Sequence, residues 1–211
     1  MTKISVFGAT GGTGRQVVEQ ALAEGYDVVA HARDPSRLGI SHERLTVVKG
    51  ELSNQALIED AIRGSNAVLS TLGPRGREKD KPISQGTENI IAAMKKVGVR
   101  RVIVTSTLSV PDPEDKPDLR TRAMVDIVKL AMHSAYEDIV ATAQLVRSSE
   151  LDWTILRLAL LNNSSKTGTV RVGFVGRGEV GAAISRSDIA YFMLKQIGDT
   201  KYIRQAPAIS N

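Results

Sequence analysis

The chain has 211 residues, a formal charge of +5, only 4% aromatic residues and no cysteine. That length suits one domain able to bury a core without staples. The missing cysteine excludes disulfides, thiolate metal sites and thiol nucleophiles, and no apolar run approaches the roughly 18 residues of a spanning helix.

Positive charge is scattered over Arg75-Gly76-Arg77, Lys95-Lys96, Arg100-Arg101 and Arg120-Thr121-Arg122. Neither a nucleic-acid-binding signature nor the aromatics of a stacking platform accompanies it. It reads as a solvated surface, of the sign that a phosphate-rich cofactor requires. No leader pattern precedes the first apolar run. A cytoplasmic protein binding a small molecule, without nucleic acid or membrane, is expected, with a monomer the simplest state.

In chain order, Ile4-Ser5-Val6-Phe7 feeds Gly8-Ala9-Thr10-Gly11-Gly12-Thr13-Gly14. Behind it Val17, Val18, Ala21 and Leu22 fall on one face of a helix over residues 15–22. Glycines at i, i+3 and i+6 between a buried strand and an amphipathic helix let phosphate oxygens approach the backbone, where a Cβ would stand in the way. The helix adds unpaired N–H groups and the positive end of its dipole. The stretch 8–14 is therefore a candidate diphosphate cradle, although its spacing is not the common G-x-G-x-x-G and a turn that binds nothing is the plain alternative.

Glu24-Gly25-Tyr26 stops the helix, and a second strand runs from Asp27 to His31. Arg33-Asp34-Pro35-Ser36-Arg37 follows. At this place an acidic residue takes the ribose 2′-hydroxyl of NAD, whereas an arginine accommodates the 2′-phosphate of NADP. Arg33, with Ser36 and Arg37 in reach, points to NADP(H). One charge-assisted hydrogen bond, about 1.5–3 kcal/mol, favours it roughly ten- to a hundredfold. Asp34 opposes this if it turns inward, and a surface arginine pair in a turn is the alternative.

Leu45 to Val48 is a third strand. Beyond it Glu51 and Leu52 border the adenine, the first by a polar edge and the second by packing, unless Glu51 only opens the next helix. A helix from Gln55 to Arg63 and a strand from Ala67 to Ser70 lead to Thr71-Leu72-Gly73-Pro74-Arg75. This exit lies at the carboxyl edge where open α/β sheets bind ligands. Arg75 meets the diphosphate or a substrate acid there, or is an exposed loop arginine.

The run Arg75 to Lys81 reads as a mobile loop, Ile83 to Val97 as a helix closed by Gly98, and Val102 to Val104 as strand five, followed by Thr105-Ser106-Thr107. Pro111, Pro113 and Pro117 break up a loop that serves as a lid or as a linker. Residues 121–149 are helical in two pieces meeting around His133-Ser134, and Asp152 to Leu156 is strand six. After that the simple alternation fails. Thr169 to Val172 and Ala182 to Ile184 are short strands, Ser187 caps a helix from Asp188 to Ile197, and Lys201 to Ile203 is a last strand. The expected fold is α/β: one doubly wound Rossmann-type domain over 1–211 with a mostly parallel sheet and a small substrate-side lobe over about 158–211.

His31, His42 and His133 share no ligand spacing, so no metal is expected. Ser106 has no histidine partner by any motif and is read as a cofactor or substrate contact, or as a plain strand-end serine.

GATGGTG at 8–14, the arginine-bounded run at 33–37, Leu72-Gly73, SSELDWTILR at 148–157 and ISRSDIAYFMLKQI at 184–197 resemble the atypical short-chain dehydrogenase/reductases. Within them the chain is most similar to the NmrA-like group with its NADPH-dependent flavin and biliverdin-IXβ reductases, over nearly its whole length. The resemblance implies a pyrophosphate held by Gly8, Thr10, Gly11, Thr13 and Gly14, with Gly12 between them, and a 2′-phosphate held by Arg33 and Arg37. It places Thr71 to Gly73 with Arg75 along the dinucleotide and Ser106, the catalytic candidate, beside the nicotinamide.

The chain also departs from the pattern. Catalytic members of the superfamily carry Tyr-x-x-x-Lys, but Tyr136, the tyrosine nearest that place, is followed four residues on by Val140. Arg157 precedes Leu158 where proline is usual, and Leu160 stands where the biliverdin-IXβ reductases have histidine. An NADPH-dependent oxidoreductase passing hydride to a flavin, quinone or similar conjugated acceptor fits a site lined by Leu72, Leu108, Leu158 and Leu160 without a strong acid. A non-catalytic NADP(H)-sensing regulator acting through a protein partner is the alternative.

Overall fold

The computed structural model describes residues 2–74, 82–116 and 119–211, without the side chains of residues 120, 121 and 124. The expected loop from Arg75 to Lys81 and Pro117 therefore lie outside the described residues. Six strands, β1 (Lys3–Phe7), β2 (Asp27–Ala32), β3 (Leu45–Lys49), β4 (Ala67–Ser70), β5 (Arg101–Thr107) and β6 (Asp152–Leu158), run parallel in the order β3-β2-β1-β4-β5-β6. Between them lie α1 (Gly12–Ala23), α2 (Gln55–Ile62), α3 (Pro82–Val97), and the pair α4 (Leu119–Ala131) and α5 (His133–Arg147). Then come β7 (Leu160–Asn162), β8 (Arg171–Gly173), β9 (Ala183–Ser185), α6 (Arg186–Lys195) and β10 (Ala208–Ser210). β10 extends the sheet parallel to β6, and β8 closes it antiparallel to β10. The result is a single Rossmann-like α/β domain around a mostly parallel eight-stranded sheet.

Strands covered on both faces need apolar residues on both. Ile4, Val6, Leu69, Ile103 and Leu156 face Val17, Val18 and Ala21 of α1 and Ile189, Ala190 and Met193 of α6. Phe7, Val29, Val68, Val104 and Ile155 face Ile58 and Ile62 of α2, Ile90 and Met94 of α3, and Val146 of α5. Each large apolar side chain buried in this way contributes about 1.5–3 kcal/mol. Ser5 is the polar exception on β1, and its hydroxyl donates to Ala61 O at 2.6 Å, with Ser65 Oγ 2.7 Å away.

The first two thirds of the chain follow the expected alternation, and the two helical pieces of 121–149 part at Met132. Differences concentrate at the end. Strand five continues to Thr107, so Ser106 lies within it. Ser185, not Ser187, caps α6: its Oγ accepts from Asp188 N at 3.0 Å, while Ser187 Oγ accepts from Gln20 Nε2. Residues 201–203 form a turn, because Tyr202 O accepts from Thr154 Oγ1 and the ladder position beside β6 goes to β10. The expected lobe is not set apart, since β8 and β10 belong to the main sheet; only β7 and β9 pair separately.

The loop after β5 is strapped down as far as residue 116, and none of residues 108–116 lines either cavity described below. Arg157, wholly buried on β6, donates to both carboxylate oxygens of Asp115, to Ala206 O at 2.7 Å and to Val110 O at 3.1 Å. Arg147 pairs with Asp112 and Arg177 with Glu114 on the same loop.

Asp188 fastens the end of the chain. Its buried carboxylate accepts from Ser185 Oγ, Thr167 N, Gly168 N and Asn211 Nδ2 at 2.7–2.9 Å. Burial pushes the carboxyl up, but the hydrogen bonds from Ser185, Gly168, Asn211 and Thr167 outweigh it and hold the group below the usual range. A carboxyl depressed on folding contributes stability that is complete above its unfolded pKa, about 3.9, and is lost as pH falls through the folded value. Asp188→Asn is expected to cost at least about 2 kcal/mol at neutral pH, as loss of hydrogen bonds to a buried charge does. Urea denaturation of both proteins between pH 7 and 3 checks this: the difference should hold down to about pH 4 and shrink below it.

Candidate cofactor site

The sheet order reverses direction between β1 and β4, and the site forms at their carboxyl ends, where such reversals bind ligands. Phe7 is in register with His31 on one side and Ser70 on the other, so the exits of β2, β1 and β4 stand level. Gly8 turns the chain with φ +81°, a left-handed conformation that suits glycine. Gly11 N then donates to Gly8 O at 3.0 Å. Helix α1 begins at Gly12, earlier than its apolar face suggests, with Gly11 as a cap that supplies no side-chain hydrogen bond and with no acidic residue in the first turn.

Not every glycine is there to admit a phosphate. A Cβ at Gly14 would collide with the backbone of Gly8 and come 2.7 Å from Thr71 Oγ1, so this glycine lets α1 pack directly under the turn. Thr71 donates its hydroxyl to Phe7 O and Gly8 O, both at 3.2 Å, clipping the exit of β4 to the same turn.

A cavity of about 510 Å³ opens above this framework. It is lined by Gly8, Thr10, Gly11, Gly12, Thr13, His31, Arg33, Glu51, Leu52, Thr71, Leu72 and Gly73, and by Pro82, Ile83, Gln85, Gly86 and Asn89 of α3. A smaller cleft of about 290 Å³ adjoins it, bounded by Thr10, Arg33, Asp34, Arg37 and Glu51. Neither the Arg33 nor the Arg37 guanidinium forms an ion pair among the described residues.

Asp34 borders the cleft with its carboxylate held by Ser36. It accepts from Ser36 N at 3.1 Å and Ser36 Oγ at 2.6 Å, capping a short 3-10 turn over Pro35–Arg37. The Ser36 hydroxyl bond, foremost, holds the Asp34 carboxyl below its ordinary range. Ser36 is thereby spent on Asp34 and lines neither cavity.

His31 stacks on Phe7, with ring centroids 5.2 Å apart, and is buried. Burial pushes its imidazole pKa down, against a smaller opposing effect of Glu51, so it stands as a neutral wall of the cavity. Asn89 of α3 donates to Leu52 O at 2.7 Å and steadies the segment after β3.

Most of the expected cofactor residues therefore meet in one place. Gly14 lies beneath it and Ser36 beside it. Ser106 is half-buried on β5, paired in register with Arg157, and does not line the cavity. Arg75 lies outside the described residues. Of the leucines expected around the acceptor, Leu72, Leu108, Leu158 and Leu160, only Leu72 lines the cavity; Leu161, not Leu160, reaches it from β7, since neighbouring strand residues face opposite sides. Arg186 at the start of α6 also lines it and was not foreseen. It sits in the run 184–197, but no local signal shows that α6 packs beside α1.

The expectation that Tyr-x-x-x-Lys is absent needs correction. Tyr191 and Lys195 have that spacing on α6, but neither lines the cavity, and Lys195 Nζ sits over the Tyr191 ring face, 4.4 Å from its centre. Tyr136 lies on α5, also away from the cavity, with Lys129 Nζ 5.5 Å from its ring centre. Among the described residues no three His, Asp or Glu side chains cluster as metal ligands would.

A glycine cradle at a strand–helix junction on the switch point defines a dinucleotide-binding Rossmann protein. Residues 8–200 match the model of the NAD(P)H-binding family, and the chain belongs to that family. It is 28% identical over 213 residues to (4-alkanoyl-5-oxo-2,5-dihydrofuran-3-yl)methyl phosphate reductase of Streptomyces griseus, covering 98% of this chain and 67% of that protein. It spans about a third of the length of several other curated relatives, such as cinnamoyl-CoA reductase 1 of Oryza sativa (38%) and a human sterol-4-alpha-carboxylate 3-dehydrogenase (30%). Two solved structures share the fold. One is ChuY, an anaerobilin reductase of Escherichia coli O157:H7 (TM-score 0.80, 21% identity, 99% of this chain and 97% of that one). The other is a Veillonella parvula short-chain dehydrogenase/reductase in complex with NADP (TM-score 0.78, 22% identity, 100% of this chain and 94% of that one).

The packing distinguishes two cradle glycines. Gly14→Ala forces a Cβ into backbone and is expected to cost about 1–3 kcal/mol or more, as overpacking does. Gly11→Ala, with φ −79° and only Gly8 O nearby at 3.3 Å, should stay within about 1 kcal/mol of the parent. Parallel thermal and urea melts measure both.

Proposed function

We propose that the chain is an NADPH-dependent reductase passing hydride to a flavin, a quinone or a similar conjugated acceptor. The observation that carries this is the pair Arg33 and Arg37, which line the cleft beyond β2 and form no ion pair among the described residues. That is where the adenosine ribose of a dinucleotide seated on residues 8–14 falls. With Asp34 held by Ser36, the cleft favours a 2′-phosphate over a bare 2′-hydroxyl.

In this reading Gly8, Thr10, Gly11, Gly12 and Thr13 hold the diphosphate, Glu51 and Leu52 border the adenine, and Thr71 to Gly73 follow the dinucleotide. Bound NADPH supplies the hydride. The protein's part is to seat two rings in line and to exclude water around them, which a conjugated acceptor needs more than a protein acid. The lack of a tyrosine–lysine pair at the cavity supports such an acceptor, with solvent delivering the proton. Residues from about 158 onward, which bring Leu161 and Arg186 to the rim, form the substrate side. The reductase names of the Streptomyces griseus relative and of ChuY, and the NADP held by the Veillonella parvula protein, support the same reading.

NADPH consumption against a panel of free flavins, quinones and linear tetrapyrroles tests it. Turnover is expected with at least one class and far better with NADPH than with NADH. Arg33→Asp should lower NADPH affinity roughly ten- to a hundredfold and leave NADH little changed. Tight NADPH binding without turnover on any acceptor would reject the reductase and leave the sensor.

A further inference from the structure

Arg186 opens α6, yet its side chain runs across the start of α1. A Cβ on Gly12 would come 2.8 Å from its Cδ and 2.9 Å from its Nε, so Gly12 is bare on the side where the guanidinium passes. Nη1 donates to Asn163 Oδ1 at 2.6 Å and to Asn162 O at 3.4 Å. Nε and Nη2 make no hydrogen bond, and no carboxylate pairs with the group, among the described residues. The helix it crosses begins without a side-chain cap and without an acid in its first turn. A guanidinium and the positive end of a helix thus converge on one wall of the cavity with no countercharge between them.

We propose that Arg186 is a diphosphate-binding arginine of the cofactor cavity, supplied by the far end of the chain. Nη1 stays on Asn163, and Nε and Nη2 take a diphosphate oxygen, a task for which the planar fork of arginine is suited. The proposal rests on the dinucleotide reading above and goes beyond it. It makes the cofactor a bridge between α1 and the β7–α6 segment. It also separates two duties: Arg33 distinguishes NADPH from NADH, whereas Arg186 serves a group that both carry.

Calorimetric titration of the wild-type chain, Arg186→Gln and Arg186→Lys with NADPH and with NADH tests this. Arg186→Gln should weaken both dinucleotides by about tenfold or more and by the same factor, with lysine recovering part of the loss. Should Arg186→Gln fold poorly, Arg186→Lys gives a second reading, since it keeps the charge and loses the fork: both dinucleotides should again weaken together. Unchanged affinity for both dinucleotides in Arg186→Gln overturns the proposal, and a raised KM for a carboxylate-bearing acceptor alone would assign the arginine to the acceptor. Loss confined to NADPH also overturns it, placing Arg186 at the 2′-phosphate. A wild-type chain that binds neither dinucleotide sinks the cofactor reading itself, whereas a wild-type chain that binds beside an unaffected variant sinks only this proposal.

Discussion

Everything at the cavity depends on how closely α1 approaches the turn that follows β1. Gly14 lies against the Gly8 backbone and the Thr71 hydroxyl, with no space for even one carbon more. That contact presses the helix start up to the carboxyl ends of β1 and β4. The Thr71 hydroxyl, bonded to Phe7 O and Gly8 O, keeps the two strand exits together. A site made this way consists largely of backbone. Its donors are the first N–H groups of a helix, and they are set by packing and not by flexible side chains.

Charge is arranged around this framework by pairing elsewhere. Asp34 is oriented by Ser36, Asp115 by Arg157, and Asp188 by the turn at 167–168 and Asn211. Glu51 and Asp34 are the acids that border the cavities. Arg33, Arg37 and Arg186 face the same cavities, and among the described residues none of the three forms an ion pair. The buried groups act as fasteners. Breaking one half of a pair such as Arg157–Asp115 strands a charge in the interior, so such pairs hold a loop in one place even where their net contribution to stability is small.

How much was legible in the sequence follows the distance over which each feature is decided. The strand, glycine turn and helix at 3–23 were legible because period, glycine placement and an apolar face all lie within some twenty neighbouring residues. The same holds for β2 with Arg33 beyond it, and for the turn at Gly98. Strands of three residues such as β7 and β10 carry no period and exist only because a distant edge accepts them, whereas β8 and β9 overlap the short strands expected at 169–172 and 182–184. Two serines two residues apart, Ser185 and Ser187, are equal as caps until Gln20 engages one of them. Leu161 and Leu160 cannot be told apart without the strand's facing, and the Tyr191–Lys195 spacing is only a spacing until its helix is placed.

By itself the sequence determined the fold class, the order of the alternating elements and the glycine turn between β1 and α1, because local periodicity and glycine stereochemistry act over neighbouring residues. Only the tertiary structure decided that Asp34 is held by Ser36, that Ser106 does not line the cavity, that the 108–116 segment is strapped down and that Arg186 crosses Gly12. Those outcomes rest on contacts between residues far apart in the chain, whose partners exist only once the sheet has brought its helices together.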